Sequence, residues 1–390
     1  MPENDPDPTL RSARVLGRNA GVRPVFLSLP LDDPGLWALL DPAVRPGRAV
    51  LWDHGLTTGH VPGLPACGHV PGGTLTGHVA ALGPAGRRRA AFLGAALGYR
   101  WQDAEVVGSE GGVQRADCLL PPEAAADSRP FDMADFAARW RSIWPAALTE
   151  ILSEEGTRDA EWLHDRLSLI LARAAADHAA QSAPQPVLSG LDRGDVTVRC
   201  RHRPYSDFFA MDDYEITHRR FDGGETPVLK RAVFVAGDAV TVLPYDPHRD
   251  RVLVVEQFRA GPFGRGDPKP WILEPVAGRI EPGQTPGETA HKECLEEAGL
   301  ALRSLHKVAE YYPSTGCFTE YVHSYIGLAD LPDGAAGLNG VAGEGEDIRG
   351  HLLSRAALMA GVRAGEMPDA PLILTALWLE ANLSRLSEVG

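Results

Sequence analysis

The sequence predicts an α/β protein in two parts: a small N-terminal α/β domain with a β-barrel-like core, and a larger C-terminal α/β domain, joined by a helical connector. Three observations carry this reading. At 390 residues the chain is too long for one ordinary core. Apolar residues recur at three- and four-residue spacing in "MADFAARWRSIW", "PAALTEILSEE" and "AEWLHDRLSLILARAAADHAA", then alternate from Asp195 onward. A Pro-rich break, "QSAPQP", separates the two regimes.

Taken in order, residues 1–21 are polar and Pro-rich and read as a tail. They contain no apolar h-region, so no secretory signal is expected. Residues 22–145 form the small domain, with strands at "VFLSL" from Val25 and "GTLTGHVAAL" from Gly73. Residues 146–194 form the helical connector, with Trp162, Leu163, Leu167, Ile170 and Leu171 on one apolar stripe. Residues 195–390 form the second domain. Its strands are "VTVRCRHRPY", "YEITHRRF" and "VLKRAVFVA", then a pair within "AVTVLPYDPHRDRVLVVEQF". A helix over 286–298, strands near Tyr321–Leu328, the loop "PDGAAGLNGVAGEGED" and helices near 355–363 and 370–386 complete it.

Bulk properties exclude several functions. Lys and Arg total 38 against 52 Asp and Glu, a net charge of −14. That argues against a general nucleic-acid or anionic-membrane partner, because both attract cationic surfaces. No apolar run reaches membrane-spanning length. The five cysteines are scattered without a C-x-x-C pair, which predicts no zinc site and suits the cytoplasm.

The helix over 286–298 is the most informative element. Thr285 is an expected N-cap, Pro286 takes the first helical position, Glu288 completes a capping box, and Gly299 suits the left-handed residue after the helix. Glu293, Glu296 and Glu297 then share one face in the last turns, where like charges repel and oppose the helix dipole. A solvated acidic face tolerates that small cost, and a bound cation removes it. A Gly/Pro loop, "GRIEPGQ", joins the preceding strand to this helix. Carboxylates in such a setting suit magnesium beside a substrate phosphate.

The segment Gly278–Leu300, "GRIEPGQTPGETAHKECLEEAGL", resembles the Nudix box, G-x5-E-x7-R-E-U-x-E-E-x-G-U with U aliphatic. Gly278, Glu293, Glu296, Glu297, Gly299 and Leu300 match, and Cys294 stands at the first aliphatic position. Gln284 replaces the first Glu and Lys292 replaces the Arg. Residues from about 205 to 386 are similar to the ADP-ribose pyrophosphatase branch through "DFFAMDDYEITHRRFDGG", "LPYDPHRDRVLVVEQFR", "PWILEPVAGRIEPG" and "GEGEDIRGHLLS".

The resemblance implies a Nudix α/β/α sandwich for the second domain. It also implies a metal held by the Ala277 carbonyl with Glu293 and Glu297, supported by Glu296 and reached by Glu346 from a facing loop. Glu344 matches the catalytic carboxylate. Glu344 and Glu346 lie two residues apart, so their roles are exchangeable in extended backbone. Phe208 matches an aromatic packed on adenine, Arg231 and Arg259 match phosphate-contacting arginines, and Gly316 and Glu320 fall on the substrate's ribose side. Thr315 stands where many relatives show proline, which bears on selectivity for the terminal ribose.

The expected function is Mg²⁺-dependent hydrolysis of ADP-ribose to AMP and ribose 5-phosphate, with Mn²⁺ as a substitute. The alternatives are another nucleoside diphosphate sugar, or an ADP-ribose-binding sensor with little turnover, motivated by Gln284 and Lys292. The resemblance also implies a homodimer that exchanges N-terminal strands and shares Arg231 across subunits.

Residues 22–145 weakly resemble the γ-glutamylcyclotransferase-like fold. There Ser28-Leu29 replaces the Tyr-Gly turn, and Leu93 stands where that family places a Glu. The resemblance then implies a non-catalytic, degenerate domain. An unrelated small domain is the alternative.

Overall fold

A computed structural model describes residues 23–125, 128–182, 188–340 and 346–387. The expected tail, most of the "QSAPQP" break and Glu344 lie outside the described residues. The chain divides into two compact units, Met1–Ala183 and Pro184–Gly390.

In the N-terminal unit five strands close a barrel: β1 (Val25–Ser28), β2 (Gly47–Thr58), β3 (Pro65–Ala80), β4 (Arg100–Gly108) and β5 (Val113–Leu120), in the order β1-β3-β2-β4-β5. β1 closes it by pairing antiparallel with β3 and parallel with β5. Phe26, Leu51, Leu75, Val106 and Cys118 fill the interior. β3 begins well before the expected start at Gly73. Its first half, rich in Gly and Pro, is held by pairing from Thr58↔Pro65 onward. The Asp53 carboxylate, at a bulge of positive φ, also accepts the Gly72 N–H at 2.7 Å.

A second core lies outside the barrel. It packs Leu27, Trp37 and Leu93 against Trp144, Leu148, Ile151, Leu163 and Ile170. The helices Trp144–Ser153 and Leu167–Ala179 therefore do not form a free-standing connector. Their apolar stripe needs a surface to bury, and the barrel domain supplies it. Leu93 is fully buried in this core.

The C-terminal unit begins with an antiparallel sheet of β6 (Val196–Ser206), β7 (Ala210–His218) and β8 (Leu229–Val235). Its main sheet contains β9 (Ala239–Asp246), β10 (Arg251–Phe258), β11 (Trp271–Glu274), β12 (Val276–Arg279), β13 (Ser304–Tyr311), β14 (Val322–Leu328), β15 (Leu338–Asn339) and β16 (Ile348–Ser354). The path is β13-β14-β9-β10-β16-β15, with β11 on β10 and β12 on β9.

Alternation along the central strands explains the layers. Val240, Val242, Leu253 and Val255 face Ala290, Cys294 and Ala298 of the helix Pro286–Ala298. Leu243, Tyr245, Val252 and Val254 face Leu358, Leu372 and Leu379 of the C-terminal helices. A sheet covered on both faces needs such nearly continuous apolar strands, as in "VLVV". The result is the expected α/β/α sandwich. No helix among the described residues is long and apolar enough to cross a membrane.

Candidate active site

The helix Pro286–Ala298 is fixed at both ends as its sequence predicts. The Thr285 hydroxyl accepts the Glu288 N–H at 3.2 Å, and the Glu288 carboxylate accepts the Thr285 N–H at 2.8 Å. Gly299 ends it in the left-handed region at φ 63°. This sets the rotation of the acidic face against β12. A Cβ on Gly278 would stand 2.2 Å from Glu293 Cδ, so the Glu293 side chain lies across the strand where only glycine leaves room. One turn on, the buried Glu297 carboxylate accepts the Ala277 N–H at 3.0 Å.

Burial pushes the Glu293 carboxyl up to about 7; Lys292 pulls it back, while Glu296 and Glu346 add repulsion. Burial pushes Glu297 up to about 8, with the Ala277 N–H opposing and Glu293 and Glu346 adding to the rise. All four acids assigned to metal thus act on one another. Among the described residues no three acidic, His or Cys side chains converge as a closed ligand set. Their oxygens are turned to the protein's own donors instead. Lys292 Nζ lies 2.8 Å from Glu296 and 3.6 Å from Glu293, and Ala277 holds Glu297. The donor set is oxygen-only, which fits a hard divalent cation.

Beside these residues opens a cleft of about 780 Å³. Ala277, Arg259 and Glu320 line it, with Thr241, Phe318 and Asp369. Arg259 makes a forked pair with Glu274, its Nε 2.8 Å and its Nη2 2.6 Å from one carboxylate oxygen. Burial raises the Glu320 carboxyl, and Arg279 and Arg259 pull it back. Burial also lifts Asp369 to about 6 against the pull of the Leu372 N–H, whose nitrogen lies 2.8 Å from it.

The remaining candidates sit apart from this cleft. Phe208 is exposed, with the Arg279 guanidinium 4.1 Å from its ring centre. A chain of rings, Phe208–Phe209–Phe234–Phe318, links it to the cleft wall. Arg231 is exposed on β8 and donates to the Lys230 carbonyl at 2.8 Å. Gly316 is exposed, with open space where a Cβ would stand.

Sequence reasoning missed Glu274, Asp369, Phe318, Arg279 and the meeting of Lys292 with Glu281. The available signal for Arg279 was its place beside Gly278 on an alternating strand. The others come from separate segments, and nothing local marks them.

Comparison with known proteins identifies the family. The NUDIX domain model matches residues 235–366. The ADP-ribose pyrophosphatase of Escherichia coli (strain K12) is 35% identical over 197 residues, covering 50% of this chain and 92% of that protein. The ADP-ribose pyrophosphatase of Haemophilus influenzae is 31% identical over 196 residues, covering 50% of this chain and 90% of that one. A GDP-mannose pyrophosphatase of Salmonella paratyphi A is 30% identical over 169 residues, covering 43% and 85%. With a box helix capped as its sequence requires, acids folded over Gly278, and a relative matched along nearly its whole length, the chain belongs to the NUDIX family.

Proposed function

We propose that this protein is a hydrolase that cleaves the diphosphate of ADP-ribose to AMP and ribose 5-phosphate with a divalent metal, Mg²⁺ in the first instance. The observation that carries this is the junction of two features. The half-buried Glu293 and buried Glu297 carboxylates meet β12 at Gly278 and Ala277, and Ala277 also lines a cleft walled by Arg259. The similarity to ADP-ribose pyrophosphatases supports the substrate.

In this reading the Ala277 carbonyl, Glu293 and Glu297 hold the metal, with Glu296 supporting and Glu346 reaching in. Bound there, a divalent cation neutralises charge on the diphosphate and eases ionisation of the attacking water. Arg259 exchanges its carboxylate partner for a phosphate, which its planar fork suits. Glu344 accepts the water's proton. Phe208 offers a ring to adenine, and Glu320 and Gly316 border the ribose. Arg231 reaches the site of a second subunit in a homodimer. All five cysteines are unpaired, which suits the cytoplasm.

The GDP-mannose relative favours a second reading, another nucleoside diphosphate sugar. Chromatographic measurement of nucleotide release from ADP-ribose, ADP-glucose, GDP-mannose and NADH with Mg²⁺ decides between them. ADP-ribose is expected to give the highest kcat/KM. A higher value for GDP-mannose moves the substrate assignment, and tight ADP-ribose binding without AMP release makes the protein a sensor.

A further inference from the structure

The two departures from the box consensus, Gln284 and Lys292, meet at one carboxylate. Lys292 Nζ stands 3.2 Å from Glu281, besides its contacts of 2.8 Å to Glu296 and 3.6 Å to Glu293. Gln284 Nε2 donates to the other Glu281 oxygen at 2.6 Å. Gln284 is itself oriented, because its Oε1 accepts the hydroxyl of buried Thr289 at 2.8 Å. Both oxygens of Glu281 are therefore committed, one to a cation and one to a fixed amide.

An ammonium is a compact point charge with three donors, unlike a guanidinium fork. Among three carboxylates it settles where their attractions balance. Two of the three, Glu293 and Glu296, are acids assigned to the metal, and the third pulls from the loop side. Without that outward pull the ammonium, already 2.8 Å from Glu296, is free to close the 3.6 Å gap to Glu293 and take the oxygens a metal needs. A half-exposed carboxylate exerts a screened pull, but the Gln284 amide fixes its position and so its reach.

We propose that Glu281 is a positioning residue: together with Glu296 it holds Lys292 off Glu293, the most distant of the three carboxylates at 3.6 Å, and so keeps the Glu293 oxygens available to a divalent cation. Gln284 aims Glu281. The inference rests on the metal reading above, and its test separates the two.

The experiment is calorimetric titration of the full-length protein with Mn²⁺, without substrate. Partners one step removed from a metal typically change its affinity by about 10–100-fold, and Glu281→Gln is expected to weaken Mn²⁺ by that amount. Glu281→Asp keeps the charge but shortens the reach, and is expected to weaken Mn²⁺ likewise. Lys292→Met removes the competing cation and is expected to tighten binding. Added to Lys292→Met, Glu281→Gln is expected to change affinity by no more than about twofold, the scatter of independent sites. Equal weakening by Glu281→Gln in both backgrounds, or parent-like binding by Glu281→Asp, overturns the positioning role and leaves Glu281 a distant charge. If Lys292→Met does not melt cooperatively, the Glu281→Asp result decides alone. If the Glu293→Gln, Glu297→Gln double variant binds Mn²⁺ as the parent does, the metal reading itself fails.

Discussion

At the scale of single residues, Gly278 shows how backbone chemistry serves the site. A methyl group there overlaps the Glu293 carboxyl, so Gly278→Ala must push that side chain off β12. We expect Gly278→Ala to lower kcat/KM by about 10–100-fold, the scale for disturbing the support of a metal ligand. Glu293→Gln and Glu297→Gln should each abolish metal-dependent turnover with the fold intact, since each removes a carboxylate that the proposed function assigns to the metal and relieves repulsion. Circular dichroism beside the rate assay checks all three; full activity in Gly278→Ala means the site can relax. Arg259 depends equally on geometry. Arg259→Lys keeps the charge but loses the fork to Glu274, and presumes a rise in KM with a smaller change in kcat. The acids were legible because i, i+3 and i+4 spacing puts them on one helical face. The Lys292–Glu281 contact was not, because it depends on how a Gly/Pro loop folds back along the helix. Nor was the cleft position of Asp369, which comes from a segment far along the chain.

At the scale of elements, the limits of Pro286–Ala298 were written in the sequence because Thr285, Pro286, Glu288 and Gly299 each act locally. Thr285→Ala should cost about 1 kcal/mol, read by denaturant titration. Other elements were hidden. β13 and β16 mix polar and apolar residues, and the helix Ala260–Arg265 is written in Gly and Pro. Their structure is imposed by neighbours, as β16 is by pairing along β10.

One buried carboxylate ties such elements together. Asp246, at the end of β9, accepts the N–H groups of His248 at 2.9 Å and Leu331 at 3.0 Å and pairs with Arg249 at 2.7 Å. Burial alone would raise its pKa, but these donors outweigh it and hold the carboxyl at about 2. A folded pKa below the unfolded value, about 3.9, means stabilisation present above about pH 4 and lost as pH falls toward 2. The shift corresponds to about 2–3 kcal/mol. In Asp246→Asn, the Tm at pH 7 should fall and its decline between pH 4 and 2 should flatten. An unchanged Tm–pH curve refutes the role.

At the scale of the whole molecule, the sheet β6–β8 poses a problem that one chain does not solve. Among the described residues β6 pairs with β7 alone, and most of its residues are exposed, including Val196, Val198 and Tyr205. A long edge strand with exposed apolar side chains invites pairing with another chain. The sheet is also braced by ion pairs within itself. Buried Asp212 binds the Arg203 guanidinium at 2.7 Å and Arg201 at 2.7 Å, which fixes β6 on β7. A braced edge with exposed apolar side chains suits an interface, and a stable one buries about 1,200–2,000 Å². We therefore expect a homodimer formed through this sheet, with Arg231 of β8 reaching the second subunit's diphosphate. Light scattering should give twice the chain mass. Val198→Glu, which puts a charge on the edge, should yield a monomer with reduced kcat/KM. Arg231→Ala should leave the dimer intact and raise KM. Mixing the Arg231→Ala chain with a Glu293→Gln chain then supplies the deciding measurement. If sites are shared across the interface, mixed dimers hold one site carrying both lesions and one carrying neither, so activity returns on subunit exchange. If Arg231 serves its own subunit, no intact site forms and mixing restores nothing; a fully active monomer removes the assembly altogether.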